Sequence, residues 1–232
     1  MRLEDKNTTL EDDRHGKKVF IGVGHGGSDP GATSAGLIEK NINLVMALAC
    51  KNELERHGLN VKLSRTVDED DPVAQEVKEC NAFKPDIAID CHNNAGGGDG
   101  FEVFHWPGSK DGAKLAELIE AEVKALGQNS RGVRSGKNLR FIKGTNCTAV
   151  LVEGFFLDNS KDRALVDTVT EQQTFGKAYA KGILKYFGIP YTKPTTTAEK
   201  IYRVQVGAFT KKANAEKLVK ELKTKGYDPY IL

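Results

Sequence analysis

Short apolar runs alternate along this chain with stretches that repeat apolar residues every three to four positions. Residues 17–23, KKVFIGV, are mostly apolar and β-branched and end in glycine, the mark of a buried strand. Residues 38–57 then carry Ile38, Ile42, Val45, Met46, Ala49 and Leu54 near a 3.6-residue period, with Gly58 placed as a helix stop. LNVKLS at 59–64 alternates as a second strand, and 72–83 predicts a short helix. DIAIDC at 86–91 is a third strand, ended by the turn-rich HNNAGGGDG, and a fourth runs from Phe101 to Trp106. A helix from about Gly112 to Leu126 sets Leu115, Leu118, Ile119, Val123 and Leu126 on one face. The loop NSRGVRSGKN leads through LRFIK to a strand at 148–152, TAVLV. A final helix over 171–187 aligns Phe175, Ala178, Tyr179, Ile183, Tyr186 and Phe187.

Strands alternating with helices predict an α/β domain with a mostly parallel sheet over residues 17–188. Residues 1–16 are a polar extension. Residues 189–200, IPYTKPTTTAEK, are rich in Pro and Thr and read as a linker. Beyond it, IYRVQVGAF, KKANAEKLVKELKTKG and DPYIL read as strand, helix and strand. This piece, 201–232, is too small to bury a core alone and is expected to be an incomplete α+β segment.

Composition narrows the class. With 39% apolar and 28% charged residues, the 232-residue chain has enough apolar material for a core, which argues against disorder. The longest apolar run, Leu44 to Cys50, is far short of the roughly 20 residues of a membrane span. The first twenty residues are charged and lack an apolar segment, so no secretory signal is expected. A net charge of +2 gives no nucleic-acid footprint. The charge is uneven, with 8 Lys+Arg against 4 Asp+Glu in residues 199–232. Cys50, Cys80, Cys91 and Cys147 form no CxxC pair, and Cys50 and Cys91 read as buried thiols of a reduced compartment.

In an open α/β sheet, ligands bind beyond the carboxyl ends of the strands. The first strand ends at Gly24-His25, the third at Cys91-His92 and the TAVLV strand at Glu153. Glu39 opens the first helix, whose N-terminus faces the same edge. Two histidines and a carboxylate form a catalytic zinc set that leaves a position for water. Such a site also needs a group to take a proton from water and return it to a leaving nitrogen. Glu39 and Glu153 fill the ligand and proton-transfer roles between them. Each residue alone is more often structural, and the coincidence at one edge carries the reading. His15 lies in the polar extension, His57 in a last helical turn that suits the helix dipole, and His105 in a strand where it packs. Gly22-Val23-Gly24-His25-Gly26-Gly27 also matches the dinucleotide fingerprint GxGxxG. Pro30 and Gly31 oppose the helix that this fingerprint needs, and Ser64-Arg65-Thr66 offers no acidic residue for a ribose. A Cys91/His92 dyad is disfavoured, because neighbouring strand residues point to opposite faces.

The motifs GHGGSDPGA with GLIEKNINL, DIAIDCHNNA, GFEVFH and AVLVEGFFLDN resemble the zinc-dependent N-acetylmuramoyl-L-alanine amidases of the amidase-3 type. The resemblance covers roughly residues 17–188. It implies a six-stranded, twisted α/β domain that hydrolyses the amide between N-acetylmuramic acid and L-alanine of peptidoglycan. It also implies one Zn2+ held by His25, Glu39 and His92, with Glu153 as the catalytic glutamate. The chain departs from the family pattern at Asp90-Cys91, where serine usually stands before the histidine's neighbour. It departs again at Lys78-Glu79-Cys80-Asn81 and at Thr148. These departures spare the metal ligands and bear on substrate subsites. Asn94 and the loop residue Arg131, with Arg134 and Lys137 near it, are candidate substrate-binding residues. The tail resembles the first half of a SPOR domain, a family that binds glycan strands, and glycan binding by it requires completion by another chain. The combination suggests an endolysin-type enzyme made in the cytoplasm and acting on the wall after release. A mother-cell enzyme of sporulation is the second setting. A zinc peptidase cutting within the stem peptide, and a catalytically dead wall-binding protein, are the alternative functions.

Overall fold

A computed structural model describes residues 16–194 and 206–224. The described residues fall into two units, one ending at Thr192 and one beginning at Lys193. The first is built on six strands: β1 (Lys18–Val23), β4 (Asn60–Leu63), β5 (Ile87–Asn94), β6 (Phe101–His105), β7 (Ser130–Ser135) and β8 (Thr148–Phe156). Their order is β4-β1-β5-β8-β6-β7. β4, β1, β5 and β8 run parallel, while β6 is antiparallel to β8 and carries β7 parallel to itself. The mostly parallel six-stranded sheet expected from the sequence is present.

Apolar side chains alternate between the two faces of these strands. Val19, Ile21 and Val23 of β1, with Ile87, Ile89 and Cys91 of β5, face a larger core closed by three helices. These are α1 (Glu39–Arg56), α3 (Lys110–Lys124) and α6 (Val169–Tyr186). Phe20, Ala88 and Ala149 face the opposite side, where Cys80 of α2 (Val73–Phe83) and Phe141 of α4 (Arg140–Gly144) complete a smaller core. Burying each large apolar side chain contributes roughly 1.5–3 kcal/mol, which fixes the register of the central strands. α6 begins with a capping box in which Thr168 and Glu171 satisfy each other's backbone amides. A two-residue hairpin, β2 (Thr33–Ser34) with β3 (Leu37–Ile38), precedes α1, and α5 (Ser160–Arg163) follows β8.

Several elements differ from the pattern-based reading, among them β8, which runs past Val152 to Phe156. β5 continues past Cys91 to Asn94, because His92 and Asn94 still pair with β8, across a bulge between them. NSRGVRSGKN contains the edge strand β7, whose exposed polar side chains hide it from a hydrophobic pattern. RFIKG forms the short helix α4, with Leu139 as its N-cap. In the second unit, α7 (Lys212–Thr224) matches the expected helix. Residues 206–209 of the expected strand IYRVQVGAF have no regular structure; its remainder, DPYIL and nearly all of the 1–16 extension lie outside the described residues. Cys50, Cys80, Cys91 and Cys147 are free thiols, the first three buried.

Candidate active site

The ends of β1, β5 and β8 bring His25, His92 and Glu153 to one edge of the sheet, and Glu39 enters it from the first turn of α1. Glu39 Oε1 lies 3.2 Å from His25 Nε2 and 3.3 Å from His92 Nδ1. The imidazoles meet edge to face, with centroids 5.0 Å apart. One ligand atom from each of the three residues falls within 4.8 Å of the others. This His2Glu donor set fits a zinc ion with a coordination position left for water. The outer nitrogens also contact carboxylates, His25 Nδ1 at 2.9 Å from Asp29 Oδ2 and His92 Nε2 at 3.4 Å from Asp90 Oδ2.

Glu39 is held in place by several donors. Asn93 N donates to Oε1 at 2.9 Å and Ala32 N to Oε2 at 2.8 Å. Burial alone would raise the Glu39 carboxyl, but the two imidazoles and these amides hold it well below the usual carboxylate range. It is therefore a carboxylate ready for a cation. Glu39 raises the His25 pKa against the effect of burial. Burial disfavours charge on His92 as well, yet Asp90 and Glu39 outweigh it and raise that group well above its ordinary value.

The His25 loop needs close packing. Gly24 abuts the His92 ring: a β-carbon at position 24 would lie 2.3 Å from His92 Nε2. His25 itself has φ 64°, a left-handed conformation that costs a non-glycine residue energy. Arg65, just after β4, secures it. Its guanidinium is buried and donates to Val23 O, His25 O at 2.7 Å, Lys40 O at 2.7 Å and Val67 O. Sequence reasoning missed this residue, noting only that no acidic side chain stood there.

Glu153 sits beside His92 in the β5–β8 register. Its Oε2 is buried with no hydrogen-bond partner among the described residues. Burial pushes its carboxyl up to about 7; His92 opposes this while Glu39, Asp90 and Glu102 reinforce it. A carboxyl poised near neutrality can both accept and donate a proton. On the other side of Glu153, in register across β6, lies Glu102. Glu102 gathers the candidate substrate residues. Asn94 Nδ2 donates to Oε2 at 3.3 Å, Arg131 Nε to Oε1 at 2.9 Å, and Arg134 Nε lies 3.1 Å from Oε1. Lys137 is exposed. Glu102 was not singled out from the sequence, since one acidic residue in an alternating strand carries no signal alone.

A second acidic group lies behind His92. Glu76 of α2 is buried, and burial with Asp90 and Asp71 beside it pushes its carboxyl up to about 10. The other histidines stand apart from the site. His57 Nδ1 donates to Glu53 O at 2.8 Å, and its Nε2 accepts from Thr192 N at 3.1 Å. Half-buried His105 donates to Trp106 O. His15 lies outside the described residues.

Comparison with known proteins fits this geometry. Residues 19–185 match the family N-acetylmuramoyl-L-alanine amidase, and residues 198–231 match the SPOR domain. The chain is 33% identical over 219 residues to the sporulation-specific N-acetylmuramoyl-L-alanine amidase of Bacillus subtilis, covering 93% of this chain and 84% of that protein. It is 31% identical to the endolysin of Bacillus phage SPP1, covering 75% of this chain and 67% of that protein. The solved catalytic domain of CwlV, an N-acetylmuramoyl-L-alanine amidase from Bacillus (Paenibacillus) polymyxa, superposes with a TM-score of 0.69 at 30% identity, covering 75% of this chain and 99% of that domain. An α/β sheet with these motifs at its carboxyl edge, matched over most of its length, makes the chain a member of the N-acetylmuramoyl-L-alanine amidase family.

Proposed function

We propose that this peptidoglycan amidase is a zinc enzyme, with His25, Glu39 and His92 as ligands and Glu153 as the proton-transfer residue. Zinc bound there would supply a Lewis acid that activates water and polarises the amide carbonyl. Glu39, ionised and fixed by two backbone amides, brings the negative charge that a divalent cation needs. Glu153 takes the proton of the attacking water at its carboxylate and delivers it to the nitrogen of departing L-alanine. Its Oε2, buried and without a hydrogen-bond partner among the described residues, is the atom that would hold that proton until the amine leaves. Asn94 and Arg131, anchored on Glu102 next to Glu153, orient the stem peptide.

The observation that carries this reading is the unpartnered Glu153 oxygen beside a His2Glu donor set. In this reading residues 17–188 are the catalytic domain, 189–200 a linker, and the SPOR-matching segment a second contact with peptidoglycan. The enzyme works at the cell wall, and its likeness both to a sporulation-specific amidase and to a phage endolysin supports sporulation or wall lysis as its setting. No helix among the described residues is long and apolar enough to cross a membrane.

The test is zinc-loaded protein on purified peptidoglycan. New N-terminal L-alanine without new reducing sugar ends is the expected result. New termini on another residue would make it a peptidase. No new termini on several wall types would leave a binding protein.

A further inference from the structure

Asp90 is 1% exposed, and neither carboxylate oxygen takes a hydrogen bond from backbone or side chain among the described residues. Its one ion-pair contact there is His92 Nε2, at 3.4 Å. A buried carboxylate with so little compensation is costly, and an apolar residue would serve the fold better. The neighbouring strand nevertheless makes room for it. Gly22 pairs with Asp90 in the β1–β5 register. A β-carbon there would lie 2.6 Å from Asp90 Oδ1, just as one at Gly24 would strike His92. Two glycines, Gly22 in β1 and Gly24 just after it, thus leave space for Asp90 and His92, at alternate positions on one face of β5.

His92 turns Nδ1 toward Glu39 and Nε2 toward Asp90. If Nδ1 holds the metal, Nε2 must carry the ring proton, and an acceptor at Nε2 fixes both tautomer and ring angle. We propose that Asp90 is a positioning residue whose carboxylate, facing His92 Nε2 at 3.4 Å, holds the ring proton on Nε2 and thereby strengthens zinc binding through Nδ1. The inference rests on the reading of His92 as a ligand. It goes beyond that reading by giving a buried acid outside the ligand set a share in metal affinity.

The experiment measures zinc affinity by competition with a chromophoric chelator, and the melting temperature of the metal-free protein, for wild type, Asp90→Ala, Asp90→Asn and His92→Ala. Asp90→Ala should bind zinc about ten- to a hundredfold more weakly, while its metal-free form melts no lower than wild type. Asp90→Asn keeps the shape and an acceptor but not the charge, and should fall between the two. It also carries the test if Asp90→Ala does not fold. Wild-type zinc affinity in both Asp90 variants, with loss in His92→Ala, overturns the inference alone. A lower melting temperature with unchanged affinity does the same, by making Asp90 a structural residue. Wild-type affinity in His92→Ala overturns the ligand reading, and the inference with it.

Discussion

His92 and Glu153 are direct neighbours across the β5–β8 pairing, so the same backbone register that joins two core strands sets a candidate ligand beside a candidate proton carrier. Replacing Glu153 by Gln keeps the shape of the side chain and removes its ability to accept a proton. Turnover should fall about 10²–10⁴-fold while the zinc content of the purified variant stays at the wild-type level. Near-wild-type turnover would remove Glu153 from the reaction.

Chelation should act on stability as well as rate. His25, Glu39 and His92 come from three separate elements, so an ion binding them favours the folded chain. At a hundredfold excess of zinc over its dissociation constant the gain is about 2.7 kcal/mol. Thermal melts with zinc and with excess chelator should differ accordingly, and His92→Ala should show no difference.

Arg65 is a purely structural lever on the same site. Its guanidinium satisfies carbonyls on both sides of His25 and at Lys40. Arg65→Met fills similar space but leaves those acceptors unpaired, at a cost of about 1–3 kcal/mol. A lowered denaturation midpoint together with weaker zinc binding is expected. A lowered midpoint with unchanged binding would show that the His25 loop holds its shape unaided.

Glu76 gives a prediction in pH. Its folded pKa, pushed up to about 10, lies above the ordinary 4.5. Below 4.5 it is protonated in both states and has no pH effect. As pH rises above 4.5 the unfolded chain ionises first, so folding must take up a proton and stability falls toward pH 10. Glu76→Gln removes that dependence. The variant should match wild type near pH 4 and exceed it increasingly toward pH 8, as urea denaturation across that range would reveal. Equal stabilities at pH 8 would mean that Glu76 ionises in the folded protein.

The residues legible in the sequence are those whose position follows from local pattern. His25, His92 and Glu153 terminate apolar runs, and Glu39 opens a periodic helix, so the strand-end rule for open sheets was enough to group them. Arg65 and Glu102 were not legible, because their roles arise from contacts between elements far apart in the chain. β7 was missed for a related reason: an exposed edge strand needs no apolar face. The reversed direction of β6 was also hidden, since alternation along a strand carries no information about its polarity.

That reversal sets how the border of the site is built. Because β6 runs against β5, the two are joined at the site edge by residues 95–100 instead of a crossover helix. Asp158 accepts from the amides of Gly96 and Gly97, and Asn159 donates to Gly98 O, so this rim is moored by the segment after β8 and not by the sheet. The middle of the rim is not free to change, because a β-carbon at Gly98 would strike the buried Phe156 ring and Gly100 N donates to buried Asp162, which leaves exposed Ala95–Gly97 as the part with open space around it. The fold thus separates a border hung on hydrogen bonds to the segment after β8 from the strand ends that hold the candidate ligands.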